Sequence, residues 1–413
     1  MKFEQYPIFE GIKKSISKLG FKKPTDIQYK SIPAILRGED VLAIAQTGTG
    51  KTAAFVIPIL HLLQERKIKG RTDGVKCLVL APTHELALQT EGVFNELGKY
   101  TRINTFCIHG GVEQEPQIQR LNEGVDVLIA TPGRMFDLVS QGALILRRVE
   151  ILVLDEADHM LDLGFIKDIR DLMRHLPLKR QTLFFSATIN EKIKSLANSL
   201  VSNPIRIQIS PKNPVAKNIQ HSVAFVEMDD KRFFLESIIR SNENKKILVF
   251  VRTKVRAERV KKALERVGLL SETIHSSRTH TERELVMENF RNSELKILVA
   301  TDITARGIDI PAVELVVNYD MPETAENYVH RVGRTGRGAE KGQAISFCSS
   351  EEKEVLNEVE NNLGKPILKI EISKKDYEFV IDLSEEKLHD WKALLLEEEK
   401  RIQKISKKKK KKF

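Results

Sequence analysis

The sequence predicts an α/β protein made of two tandem lobes, each built on a parallel sheet, with a charged, basic C-terminal tail. Three observations carry this. Short β-branched runs recur, each ending at a Gly, Pro, Thr or Asp turn and followed by a charged stretch of helical period. The alternation breaks once and restarts, at ISPKNPVAKN, where two prolines and polar residues interrupt it. The chain has 413 residues, more than a single domain of roughly 150 residues accounts for.

Taken in order, residues 1–208 are expected to form the first lobe, with strands in VLAIAQTG, KCLVLAPT, VDVLIATPG, ILVLDEAD and TLFFSAT. Residues 209–218 are the expected linker. The second lobe, 219–366, repeats the grammar with KILVFVRT, SETIHS, LKILVATD, ELVVNYD and QAISFCSS. From 367 to 413 it fades into a charged extension, helical around HDWKALLLEEEKRIQ and ending in KKKKKKF. Nearly every motif below stands at the carboxyl end of one of these runs, where open parallel sheets bind ligands.

Composition narrows the class. Apolar residues make up 41% and charged residues 30%, the balance of a chain with a real core rather than a disordered or membrane protein. No run approaches the roughly 18–20 apolar residues of a spanning helix, and MKFEQYPIFEGIKK has no apolar signal region, so a cytoplasmic location without membrane contact is expected. Cys77, Cys107 and Cys348 are odd in number and far apart, which argues for buried thiols in a reducing compartment rather than disulfides or a metal site. Lys407 to Lys412 supply six of the ten net positive charges, so the basic excess belongs mostly to the tail.

AQTGTGKT, from Ala45 to Thr52, follows one strand and opens a helical stretch, the context of a phosphate-binding loop. The backbone of Ala45, Gln46, Thr47, Gly48, Thr49 and Gly50 would cradle phosphate oxygens at a helix N-terminus. Lys51 would reach the outer phosphates and the Thr52 hydroxyl a magnesium ion. Ala45 stands where the usual pattern has its first glycine. ILVLDEAD puts Asp155 and Glu156 at the end of a very apolar strand, where two carboxylates are costly unless used. A magnesium ligand, Asp155, followed by a water-orienting base, Glu156, is the economical assignment; acidic pairs also occur at helix starts as plain dipole partners.

With these motifs in this order, from about Phe9 to Phe347, the chain resembles the DEAD-box ATP-dependent RNA helicases of helicase superfamily 2. The resemblance implies two RecA-like lobes, ATP and Mg2+ as cofactors, and RNA as partner through mainly backbone contacts to structured or duplex segments. GFKKPTDIQ resembles the adenine-reading motif, with Gln28 on the base edge, Phe21 stacked on the ring and Phe9 upstream. Ser186 and Thr188 of SAT, with Asp158, resemble the motif coupling hydrolysis to strand opening, their hydroxyls being expected on the Asp158 carboxylate; a bare SAT is otherwise an ordinary helix cap.

For RNA, the resemblance implies Thr83 of PTHELA, Gly110 and Gly111, and Thr131, Gly133 and Arg134 of TPGR in the first lobe. In the second it implies Arg252 and Thr253 of VFVRT and Thr301 of TDITARGIDI. Asp309 of the last motif would meet the ribose, and Arg334 and Arg337 of HRVGRTGRG would be arginine fingers that complete the ATP site when the lobes close. His84, Ser276 and His280 stand where the family commonly has arginine, glycine and glutamine.

The expected activity is RNA-stimulated ATP hydrolysis coupled to local separation of short duplexes or remodelling of RNA–protein complexes. Ribosome-assembly or RNA-decay machinery would be its setting. An ATP-gated RNA clamp and a DNA helicase are the alternatives. Six adjacent lysines repel one another, so the tail is expected to stay unpacked and to act as an RNA tether or a solubility aid.

Overall fold

The computed structural model describes residues 2–46, 48–68, 74–209, 215, 218–275, 277–302, 313–336, 341–382 and 384. Thr47, Ser276, Asp309, Arg337 and the lysine run therefore lie outside the described residues, as does the side chain of His280. Two compact units form, each around one seven-stranded sheet whose paired strands are all parallel.

The first sheet comprises β1 (Val41–Ala45), β2 (Cys77–Leu80), β3 (Thr105–Ile108), β4 (Val127–Ala130), β5 (Ile151–Leu154), β6 (Gln181–Ser186) and β7 (Ile205–Ile209). Its order is β3-β4-β2-β5-β6-β1-β7. Because side chains alternate along a strand, each central strand feeds two cores. Val41, Ala43, Cys77, Val79, Ile151 and Val153 face one, whereas Leu42, Ile44, Leu78, Leu80, Leu152 and Leu154 face the other. This is why these runs are almost continuously apolar.

The second sheet comprises β8 (Ile219–Phe225), β9 (Ile247–Val251), β10 (Glu272–Ile274), β11 (Ile297–Thr301), β12 (Leu315–Asn318), β13 (Gly342–Cys348) and β14 (Leu368–Ile370), in the order β10-β11-β9-β12-β13-β8-β14. Strand for strand it repeats the first. The structure adds β3, β7, β8 and β14 to the ten runs read from sequence. It also carries the second sheet past residue 366, since β14 pairs with β8. The helical residues 374–382 follow, and the Tyr377 ring lies 4.8 Å from Phe234 while its hydroxyl donates to Asp230 (2.8 Å) and accepts from the Glu227 amide (3.1 Å). The start of the charged extension is thus built onto the second lobe.

All three cysteines are unpaired and buried. Among the described residues no helix is long and apolar enough to cross a membrane.

Candidate active site

Strand order assembles the site. With β6 between β5 and β1, the DEAD turn, the SAT turn and AQTGTGKT stand side by side at the carboxyl end of the first sheet. Lys51 opens the helix Lys51–Ile68 and is buried, its Nζ donating to the Ala45 carbonyl at 2.8 Å. That bond uses one of the ammonium's three N–H donors. Thr49 Oγ1 donates to the Gln46 carbonyl at 2.7 Å, and Thr52 is half-buried at the second helical position.

Gly50 sits at φ +89°, and a Cβ there would meet Gln28 Nε2 at 2.6 Å, so only glycine lets the loop lie on this glutamine. Gln28 is itself fixed by a capping box: its Oε1 accepts from the Thr25 amide at 3.0 Å and its Nε2 donates to the Gly50 carbonyl at 3.2 Å. One amide hydrogen and one oxygen lone pair remain for a base edge. Phe21 is exposed beside Phe3, and Phe9 packs against the core at the start of the helix Glu10–Lys18.

Asp155 is buried, and its carboxyl is pushed up to about 7, by burial first and by neighbouring Glu156 second, with the Lys51 charge pulling the other way. Glu156 adopts a left-handed backbone, φ 50° and ψ 52°, and its amide donates to Asp155 Oδ1 at 3.0 Å. A non-glycine residue held there signals a turn over-determined by its surroundings. The link from Asp158 to SAT differs from expectation. Asp158 Oδ1 accepts from the Ala187 amide at 3.4 Å, while the Ser186 hydroxyl donates to the Thr188 carbonyl at 2.8 Å. The sharp turn after β6 brings an amide, not a hydroxyl, to the carboxylate; the cap of the next helix is Asn190.

The other half of the sheet, β3-β4-β2, gathers the remaining first-lobe motifs. Thr83 caps the helix His84–Gly98, its Oγ1 accepting from the Leu86 amide at 3.3 Å. Thr131 precedes the helix Pro132–Ser140, which carries Gly133 and Arg134, and Arg134 Nη2 donates to the Val112 carbonyl at 2.7 Å. His84 does not point into solvent. Its ring packs on His109 with centroids 5.1 Å apart and lies under Gly110 and Gly111.

In the second lobe, Thr253 caps the helix Lys254–Arg266, and Arg252 Nη2 donates to Glu352 Oε1 at 3.2 Å. Thr301 ends β11, next to β9, and is buried, as is Arg334 just beyond the helix Ala325–Val332. Two ion-pair systems were not legible in the motifs. Arg331 grips Asp302 with two bonds of 2.6 and 2.7 Å and donates to the Asp320 carbonyl at 2.7 Å. Lys231, fully buried, meets Glu352 at 2.5 Å, while Arg256 meets Asp320 at 2.6 Å. The only signal was a carboxylate after an apolar run in LVATD and VVNYD.

A glycine-rich loop opening a helix beside paired carboxylates, at the carboxyl end of a parallel sheet, defines a P-loop nucleoside triphosphatase type of site in a chain of two parallel α/β lobes. Comparison with known proteins sharpens the class. The DEAD/DEAH box helicase family matches residues 25–196, and the helicase conserved C-terminal domain matches residues 230–339. The chain belongs to the DEAD-box helicase family. It is 36% identical over 389 residues to the ATP-dependent RNA helicase DbpA of Bacillus subtilis, covering 93% of this chain and 80% of that one. It is 39% identical over 360 residues to CshA of Geobacillus kaustophilus, covering 87% and 76%. Among solved structures, S. cerevisiae Dbp5 bound to RNA and ADP BeF3 superposes with a TM-score of 0.80 at 30% identity, covering 94% of this chain and 99% of that one. Mss116 bound to single-stranded RNA and UDP-BeF gives 0.81 at 29% identity, covering 92% and 81%.

Proposed function

We propose that this chain, an ATP-dependent RNA helicase with RNA-dependent ATPase activity, opens short RNA duplexes or remodels RNA–protein complexes locally. The observation that carries it is the side-by-side placement of buried Lys51 and the Asp155–Glu156 pair across β6. ATP would lie on the loop from Ala45 to Thr52, with Gln28 and Phe21 on the adenine and Lys51 on the outer phosphates. Glu156 orients a water and takes its proton as the water oxygen bonds the γ-phosphorus and the β–γ bridging bond breaks, leaving ADP and phosphate.

Asp155 and Thr52 suit a magnesium ion, because a cation there would favour the ionised form of a buried carboxyl whose pKa burial pushes up to about 7. The ion would supply neutralisation of phosphate charge. Arg334 and Arg337 would complete the charge stabilisation from the second lobe, making hydrolysis conditional on lobe closure, with Asp309 on the ribose. RNA would be held by its backbone through Thr83, Gly110, Gly111, Thr131, Gly133, Arg134, Arg252, Thr253 and Thr301, with Asp158, Ser186 and Thr188 coupling hydrolysis to strand opening. A cytoplasmic location and partners in ribosome assembly or RNA decay belong to the same proposal.

The test is ATPase stimulation by RNA and by DNA of one sequence, paired with strand displacement from a short duplex. RNA should stimulate and DNA should not, because only RNA offers 2′-hydroxyls. Equal stimulation by DNA, or no displacement, would overturn it.

A further inference from the structure

One buried side chain at the site has no role in the motifs above. His159 lies one turn beyond Glu156 on the short helix Ala157–Asp162, four-hundredths exposed at its side chain, and neither ring nitrogen has a hydrogen-bond partner among the described residues. Buried polar atoms are nearly always paired, and an apolar residue would fill this space without losing hydration. The residue that caps its helix lies close by. His159 Nδ1 stands 3.6 Å from Glu156 Oε2, a few tenths of an ångström beyond hydrogen-bond range.

Glu156 stands at the N-cap of this helix with a left-handed backbone. Across the junction, Thr188 Oγ1 is also buried without a hydrogen-bond partner among the described residues. Backbone bonds fix the helix at both places, Met160 N–H to the Glu156 carbonyl at 3.1 Å and Leu163 N–H to the His159 carbonyl at 3.0 Å. Closing the gap therefore needs only side-chain rotation.

We propose that His159 is a positioning residue for Glu156: its Nδ1–H donates to Oε2, which holds the carboxylate in one rotamer and presents Oε1 to the attacking water. The imidazole itself touches neither water nor phosphate. Donation is open to the neutral ring with its hydrogen on Nδ1, so no change of charge is required. The inference rests on Glu156 being the base.

The experiment uses the full chain with a single-stranded RNA oligonucleotide and steady-state ATPase kinetics on His159→Leu, His159→Asn, Glu156→Gln and the double variant Glu156→Gln/His159→Leu. Leucine fills the space without a polar atom, whereas asparagine keeps an N–H near the Nδ1 position. His159→Leu should lower kcat about 10- to 100-fold, the loss of one hydrogen bond to a charged group, with the KM for ATP and half-saturating RNA unchanged. His159→Asn should recover most of the rate. In the Glu156→Gln background, His159→Leu should cost nothing more. A normal rate for His159→Leu, an equal loss in His159→Asn, or an independent further loss in the double variant would overturn the positioning role. A normal rate for Glu156→Gln would instead overturn the base assignment, so the two failures are distinguishable.

Discussion

The two sheets share one strand order and differ in what stands at the carboxyl ends. β1 is followed by a glycine loop, and six residues past its end Lys51 opens a helix; β8 is followed by Val226-Glu227-Met228-Asp229-Asp230, and six residues past its end Lys231 opens a helix. In the first lobe the lysine bonds, among the described residues, the Ala45 carbonyl that ends β1, and the carboxyl after β5 is left at the edge of ionisation. In the second, Lys231 is closed on Glu352, and Asp320, after β12, is paired with Arg256. Internal ion pairs occupy the places that correspond to Lys51 and Asp155 in the first lobe. A polar group kept underpaired at a strand end marks chemistry, whereas a satisfied one marks architecture.

The largest expected effect breaks the chemistry alone. Glu156→Gln should lower kcat by about 10²- to 10⁴-fold with nucleotide and RNA binding retained, measured by steady-state turnover beside equilibrium binding. Retained turnover would remove Glu156 from its role.

Swapping the two lysines for methionine tests the contrast directly. Lys231→Met leaves buried carboxylates undercompensated and should destabilise the second lobe by about 3–5 kcal/mol, read by denaturant unfolding, with nucleotide affinity kept. Lys51→Met should do the reverse, abolishing nucleotide binding with little change in unfolding. If both variants lose nucleotide binding, the contrast fails.

Titration gives a smaller effect of defined sign. The Asp155 pKa is raised from 3.8 to about 7, so the folded chain holds this proton more tightly than the unfolded one. Its contribution to stability is full below the unfolded value and is lost as pH rises through about 7. A cation displaces that proton. Mg2+–nucleotide affinity should therefore rise about tenfold between pH 6 and 8 and release protons, readable by calorimetry in buffers of different ionisation enthalpy. Asp155→Asn should abolish the dependence.

The smallest change comes from the tail. Deleting residues 406–413 should weaken RNA binding alike for all sequences and flatten its salt slope by up to about 0.7 log unit per lost phosphate contact. The maximal ATPase rate should stay the same. An unchanged affinity and slope would leave the lysines a solubility role.

Much of this was legible early. The parallel sheets follow from short apolar runs and the turn residues behind them, features that need no distant partner, and the family from the resemblance of motifs such as AQTGTGKT and DEAD in their order. The strands that escaped notice have weaker signals. β7 and β14 lie at sheet edges, with exposed faces in Ile205–Ile209 and Leu368–Ile370, so their composition is mixed. The Ser186 and Thr188 hydroxyls were expected on Asp158 because the residue types fit; the turn after β6 presents an amide instead.

By itself the sequence determined which chemical groups stand at the strand ends, because turn chemistry and apolar periodicity act over a few residues. Only the tertiary structure decided which of them are neutralised. Arg331 finds Asp302, and Lys231 finds Glu352 across 121 residues of chain, because strand order brings their turns together. The same packing leaves His159 beside Glu156 with neither ring nitrogen paired among the described residues. In a buried site a hydrogen bond depends on tenths of an ångström, and that distance is set by the packing of whole strands and helices rather than by residue type.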